Sequence, residues 1–308
     1  MSKFKHIIES QQFDLRSLNQ VFDLADKMRQ NVGAYQCPGK ILATLFYEPS
    51  TRTRLSFETA MLRLGGSVIS TEKAKEFSSY TKGESLEDTI KVISQYADVI
   101  ALRHHEIGAA KIAKEVSSVS VINAGDGAGQ HPTQALLDLY TIKRYFDEID
   151  GLTISMVGDL MYGRTTRSLC YLLGRFFKVK LIFVAPMVCK MAADILQFLD
   201  ENGIEWKETD DFKGALKESD CVYMTRIQKE RFLDMNRFEK ISSEYRIDKS
   251  TISYLKKEAI VMHPLPRQEE IDPEIDTDPR MVFFDQASNG VWVRMALITM
   301  LLNPELQL

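Results

Sequence analysis

Five short stretches of this chain combine residue types that can bind an anion or polarise a carbonyl. The first is Ser50-Thr51-Arg52-Thr53-Arg54, which follows the apolar run ILATLF. Hydroxyls, guanidiniums and unbonded backbone N–H groups at the start of a helix form a phosphate cradle, because the donors and the positive dipole end favour an anion. Arginine adds forked, charge-assisted bonds. An N-cap with solvated arginines is the plainer reading, but two arginines in a first turn oppose the dipole unless an anion is present. The second stretch is Arg103-His104-His105. Side chains at i and i+1 on a strand point apart, so a joint metal site is disfavoured and Arg103 is the better contact for a phosphate or carbonyl. The third is Asn123 to Gln134, in which Gly125-Asp126-Gly127 precedes Gln130-His131-Pro132-Thr133-Gln134. Its G-x-G-x-G pattern has Gln130 where a dinucleotide fingerprint requires glycine. Pro132 suits the first turn of a helix, which puts His131 and Gln134 at that helix's start.

The fourth stretch, Gly158 to Thr165, nearly matches the P-loop pattern G-x-x-x-x-G-K-[ST], with Arg164 in place of lysine. The two cations are not interchangeable, and an arginine fork suits a carboxylate at least as well as a phosphate. The fifth is His263-Pro264-Leu265-Pro266. Its two prolines fix an extended backbone whose carbonyls can face a ligand N–H, or simply make a stiff loop. The cationic run from Arg226 to Arg231 and the polar loop from Phe77 to Glu84 complete the set.

Such residues must be delivered by a scaffold. Apolar runs at Ile41–Phe46, Val99–Leu102, Val119–Ile122, Leu152–Val157, Leu181–Val184, Cys221–Met224, Ile260–Met262 and Val282–Phe284 read as buried strands. Between them lie helical periodicities. Phe57, Ala60, Met61 and Leu64 recur at helical spacing after Thr51, with Gly65-Gly66 as a stop, and Leu136, Leu139 and Tyr140 do so after Pro132. The alternation predicts an α/β fold of doubly wound domains, each a mainly parallel sheet flanked by helices. In such folds ligands sit beyond the carboxyl ends of the strands, where these stretches fall. A boundary is expected near residues 132–151, and Val291–Leu302 reads as a closing apolar helix.

The 308 residues are 44% hydrophobic and 27% charged, with a net charge of −4. Two domains are the default at that length. The charge argues against partners such as nucleic acid or anionic membrane. No apolar run is long enough to cross a bilayer, and the first residues lack the apolar core of a secretory signal. Four widely spaced cysteines without C-x-x-C argue against a zinc site or disulfide framework and fit a reducing, cytoplasmic compartment.

In this order, the motifs resemble the aspartate/ornithine carbamoyltransferase family over essentially the whole chain. The resemblance implies an N-terminal carbamoyl-phosphate-binding domain (1–132), an aspartate-binding domain (133–290), a final helix (291–308) packed back on the first domain, and an active site between the domains. It implies no cofactor and no metal. It implies carbamoyl transfer from carbamoyl phosphate to an amine, and three features favour aspartate over ornithine: Lys82-Gly83-Glu84, the Arg226 segment, and Leu265-Pro266 where the ornithine enzymes typically carry His-Cys-Leu-Pro. That reaction is the committed step of de novo pyrimidine biosynthesis. Ser50, Thr51, Arg52 and Thr53 are then expected to hold the phosphate, and Arg103 to bridge phosphate and carbonyl. Thr53, Arg103 and a neutral His131 would donate to the carbonyl oxygen. Gln134 and the carbonyls of Pro264 and Leu265 would take the carbamoyl NH₂, with Leu265 also near aspartate. Arg164, Arg226 and Gln228 would clamp the aspartate carboxylates. The family unit is a homotrimer in which Ser78 and Lys82 reach a neighbouring chain's site, and some members bind regulatory chains. A different amine acceptor, ornithine included, and a nucleotide-binding protein built on Gly158 to Thr165 are the rival readings.

Overall fold

The computed structural model describes residues 4–72, 83–227, 243–303 and 305. The chain divides into two compact units, residues 1–137 with 288–308, and residues 138–287.

In the first unit β1 (Ile41–Phe46), β2 (Ser67–Glu72), β3 (Val99–His104) and β4 (Ser120–Asp126) form a parallel sheet in the order β2-β1-β3-β4. β1 and β3 are buried along nearly their whole length, as strands covered on both faces must be. The edge beside β4 is covered by the N-terminal segment: Ile7 donates to the Val121 carbonyl (2.8 Å) and accepts from the Asn123 N–H (2.7 Å), which blunts an otherwise unpaired edge. Helices α1 (Leu15–Gln30), α2 (Thr51–Arg63), α3 (Leu86–Ile93) and α4 (Ala109–Val116) accompany the sheet. Phe57, Ala60 and Met61 of α2 are fully buried and give it its inner face; each large side chain among such groups contributes about 1.5–3 kcal/mol.

Helix α5 (Pro132–Tyr145) leads into the second unit. There β5 (Thr153–Val157), β6 (Lys180–Val184), β7 (Glu205–Thr209), β8 (Cys221–Met224) and β9 (Ile260–Met262) form a second parallel sheet, order β7-β6-β5-β8-β9. Helices α6 (Arg164–Leu173), α7 (Ala193–Glu201) and α8 (Phe212–Glu218) lie in its crossovers, and α9 (Phe283–Leu302) closes the chain.

Three elements differ from the sequence reading. β2 and β7 are partly exposed strands, SVISTE and EWKET, with too few apolar residues to stand out as buried runs. Val282–Phe284 is not a strand. Val261 donates to the Arg280 carbonyl (2.7 Å) and Val282 donates to that of Val261 (3.0 Å), which gives one bridge beside β9 before α9 begins at Phe283. The closing helix is therefore longer than Val291–Leu302. Among the described residues no helix is long and apolar enough to cross a membrane.

Candidate active site

The start of α2 differs from those of α1 and α3 in its unit. Helix α1 is capped by Asp14, whose carboxylate accepts from Ser17 N–H, and α3 by Ser85, with Glu87 and Asp88 in its first turn. Helix α2 follows Ser50, which makes no side-chain cap, and has no acid in its first turn. Among the described residues the N–H groups of Thr51, Arg52 and Thr53 meet no protein acceptor; the first bond is from Arg54 to the Ser50 carbonyl (3.1 Å). Arg52 forms no ion pair among those residues. Its side chain reaches solvent, yet desolvation by the surrounding protein lowers its pKa. Uncapped donors and an uncompensated guanidinium at the positive end of a helix form a site for an anion.

The second arginine of the motif does not join it. Arg54 lies 3.4 Å from Glu58 and 3.1 Å from Glu72, and Ser70 Oγ is 3.1 Å away. Its charge is compensated beside β2.

Sheet register brings Arg103 to the same place. Phe46, the last residue of β1, is paired with Arg103, and Tyr47 N–H donates to the Arg103 carbonyl (2.9 Å). The mostly buried Arg103 has its Nε 3.5 Å from Glu48 Oε2, in the turn that leads to α2. His104 and His105 do not diverge as strand neighbours would. The strand ends at His104, so the His105 ring folds back and stacks on it at 4.3 Å. Among the described residues no group of three His, Cys, Asp or Glu side chains could hold a metal.

The turn after β4 is fixed from within. Asp126 accepts from Gln130 N–H at Oδ1 (2.8 Å) and from Gly108 N–H at Oδ2 (3.0 Å). Gly127 has φ +50°, and a Cβ there would lie 2.6 Å from the His105 carbonyl oxygen, so only glycine fits. Gln130 accepts from Ser10 N–H (2.8 Å) and donates to Gln11 (2.8 Å). The turn delivers His131 to the start of α5, where its carbonyl accepts from the N–H groups of Gln134 and Ala135. The His131 ring is buried, with Nδ1 3.5 Å from Thr133 Oγ1. Thr133 in turn accepts from Arg294 (3.4 Å), whose guanidinium lies over the Phe57 ring of α2. Gln134 is half-buried one turn into the helix.

In the second unit the edge formed by β5, β8 and β9 carries the other predicted groups. Gly158 has φ +114°, and a Cβ there would lie 2.2 Å from the Thr225 carbonyl oxygen. Thr225 N–H donates to the Val157 carbonyl (2.8 Å), which ties the two strand ends together. Arg164 is the first residue of α6 and Arg226 follows β8; both are half-buried. Arg226 reaches Gln268 Oε1 (3.5 Å), beyond the Pro264-Leu265 turn.

The loop from Gly158 to Thr165 commits much of its backbone to the protein. Its Leu160 and Met161 N–H groups both donate to the Cys189 carbonyl (2.9 and 3.1 Å), and Tyr162 N–H donates to Asp159 Oδ1 (3.2 Å). Three of the donors that would face a phosphate are engaged by the protein.

After β9, His263 Nε2 is 2.8 Å from Glu270 Oε1, and Leu265 N–H donates to His263 Nδ1 (2.7 Å). Since Nδ1 accepts, the ring proton sits on Nε2 and points at the carboxylate. Burial pushes the Glu270 pKa up, but the hydrogen bonds from His263 and from Gln268 N–H outweigh it, and the carboxyl lies below its usual range. Behind this turn is a buried polar group that periodicity does not reveal. Tyr223 Oη donates to Asp138 Oδ2 (2.7 Å) and Gln286 Nε2 to Asp138 Oδ1 (2.6 Å). Tyr223 sits inside the strand CVYM and Asp138 inside the helical run LLDLY. A polar residue in an apolar stretch was the only signal.

Ser78, Lys82 and Gln228 lie outside the described residues. Of the other expected groups, the structure brings the Ser50–Thr53 segment and Arg103 to adjacent strand ends, with His131 at the end of β4. In the second unit it brings Arg226 beside the Pro264-Leu265 turn.

Known proteins have the same organisation. The model of the family "Aspartate/ornithine carbamoyltransferase, carbamoyl-P binding domain" matches residues 5–144, and that of the "Asp/Orn binding domain" matches residues 150–301. The aspartate carbamoyltransferase catalytic subunit of Clostridium perfringens is 48% identical over 306 residues, 98% of this chain and 99% of that one. The chloroplastic aspartate carbamoyltransferase 1 of Pisum sativum is 50% identical over 96% of this chain and 78% of its own length. The catalytic subunit of M. jannaschii aspartate transcarbamoylase superposes with a TM-score of 0.92 at 48% identity, covering 98% of this chain and 99% of that one. The Trypanosoma cruzi enzyme in complex with carbamoyl phosphate and aspartate does so at 0.90 and 38% identity, covering 97% of each chain. By both family matches and by near full-length identity, the chain belongs to the aspartate/ornithine carbamoyltransferase family.

Proposed function

We propose that this chain is an aspartate carbamoyltransferase catalytic chain, which transfers the carbamoyl group of carbamoyl phosphate to the amine of L-aspartate and releases N-carbamoyl-L-aspartate and phosphate, the committed step of pyrimidine biosynthesis. The observation that carries this reading is the contrast between two phosphate-like motifs. The start of α2 keeps three amides and Arg52 for an outside anion, whereas the Gly158 loop commits the N–H groups of Leu160, Met161 and Tyr162 to the protein.

In this reading Ser50, Thr51, Arg52 and Thr53 hold the phosphate, and Arg103 leaves Glu48 to bridge phosphate and carbonyl. Thr53, Arg103 and His131 donate to the carbonyl oxygen as the amine attacks and charge builds there. Removal of one such donor commonly costs about 10²–10³ in rate. Gln134 and the Pro264 and Leu265 carbonyls take the carbamoyl NH₂. Arg164 and Arg226, with Gln228 and Lys82, hold the carboxylates of aspartate. The C–N bond forms, the C–O bond to phosphate breaks, and the departing phosphate takes the amine proton. Positioning two reactants can itself supply several kcal/mol, of the order of 7–11 kcal/mol at best.

The first unit is the carbamoyl-phosphate-binding domain and the second the aspartate-binding domain. The working assembly is a homotrimer to which Ser78 and Lys82 contribute across chains. The four cysteines are all buried free thiols, which suits a reducing compartment such as the cytoplasm.

Thermal unfolding tests the reading. Carbamoyl phosphate should raise the Tm, and aspartate or succinate should raise it further only once carbamoyl phosphate or inorganic phosphate is present. Stabilisation by ATP or GTP with no response to carbamoyl phosphate would instead support the nucleotide-binding reading.

A further inference from the structure

We propose that Asp138 and Gln286 are positioning residues that aim the Pro264 and Leu265 carbonyls, an inference that rests on the role given above to that turn. The argument is one of hydrogen-bond direction. A carboxylate only accepts, so the fully buried Asp138 obliges Gln286 to present its NH₂ to it (2.6 Å). The Gln286 carbonyl oxygen must then face the other way, where it accepts from His263 N–H (2.8 Å). That bond fixes the backbone at the first residue of the turn. The His263 ring fixes the third by accepting from Leu265 N–H (2.7 Å), while Glu270 holds the ring's other nitrogen (2.8 Å). Leu265 needs this restraint: its φ of +55° is left-handed, a conformation a side-chain-bearing residue rarely adopts unless its surroundings impose it.

The chain also runs the other way. Tyr223 gives its proton to the other carboxylate oxygen of Asp138 (2.7 Å), so both oxygens are engaged. One buried carboxylate therefore ties β8 to the turn that would face the carbamoyl group.

The test exchanges donor and acceptor. Gln286→Glu places two acceptor-only groups face to face and should lower kcat about 10- to 100-fold, as displacement of reacting groups does, with the affinity for inorganic phosphate unchanged. The double variant Asp138→Asn with Gln286→Glu restores every bond and reverses the polarity of the 138–286 bond alone: the new amide at 138 can donate to the new carboxylate at 286 while the amide oxygen accepts from Tyr223, and residue 286 still accepts from His263 N–H. It should recover most of the lost kcat. A double variant as slow as the single one would overturn the proposal. If Gln286→Glu does not fold, Gln286→Met keeps the volume and removes the bonds, and hydrogen exchange at the Leu265 amide should quicken. Exchange as slow as in the wild type would overturn the proposal too. A wild-type chain without carbamoyl transfer would defeat the functional reading instead, and leave the exchange measurement to decide this one.

Discussion

At the residue scale the proposed phosphate site turns on Arg52, which nothing in the described protein neutralises, while Arg54, two residues on, is paired with Glu58 and Glu72. Arg52→Ala should reduce turnover to below a tenth of wild type and weaken inorganic phosphate binding by titration calorimetry, with an unchanged Tm. Retention of more than a tenth would remove the phosphate assignment. Glu270 gives a pH prediction. Its folded pKa is depressed, so its contribution to stability is present above the ordinary carboxylate pKa and is lost as pH falls through the lower, folded value. Melting curves across the acid range should show a steeper loss in wild type than in Glu270→Gln. Parallel curves would mean that the His263 bond does not hold the carboxyl down.

At the scale of elements, the buried strands and the helix starts were legible because apolar runs and Gly, Pro and hydroxyl punctuation follow directly from burial and backbone geometry. β2 and β7 were not, since a half-exposed edge strand needs few apolar residues. Val282 misled for the opposite reason: it is buried between the Met281 bridge to β9 and the start of an apolar helix. The α2 cradle and the ends at Arg103 and His131 could be read from motif order. The Asp138 group could not, because its partners are separated by tens of residues and only the fold brings them together. Gly158 expresses this dependence of site on backbone. Gly158→Ala forces a Cβ against the Thr225 carbonyl at φ +114°. It should cost more than about 1 kcal/mol, a fall of at least about 2–4 °C in Tm by calorimetry. An unchanged Tm would show that the β5 and β8 ends can separate freely.

For the whole molecule, two parallel sheets each present a set of cations and oriented donors at their carboxyl edges, the arrangement expected of open α/β sheets. In the proposed function the first set takes an acyl phosphate and the second a dicarboxylate. If sites are completed between subunits, inactive Lys82→Ala and Arg52→Ala chains, mixed and reassembled, should regain part of the wild-type activity, and no recovery would confine each site to one chain. The decisive assay supplies labelled carbamoyl phosphate to the purified protein with aspartate or with ornithine and separates the products. Labelled N-carbamoyl-L-aspartate, formed with stoichiometric phosphate, is the expected result. Citrulline as the main product, or no transfer to either amine, would contradict the proposed function.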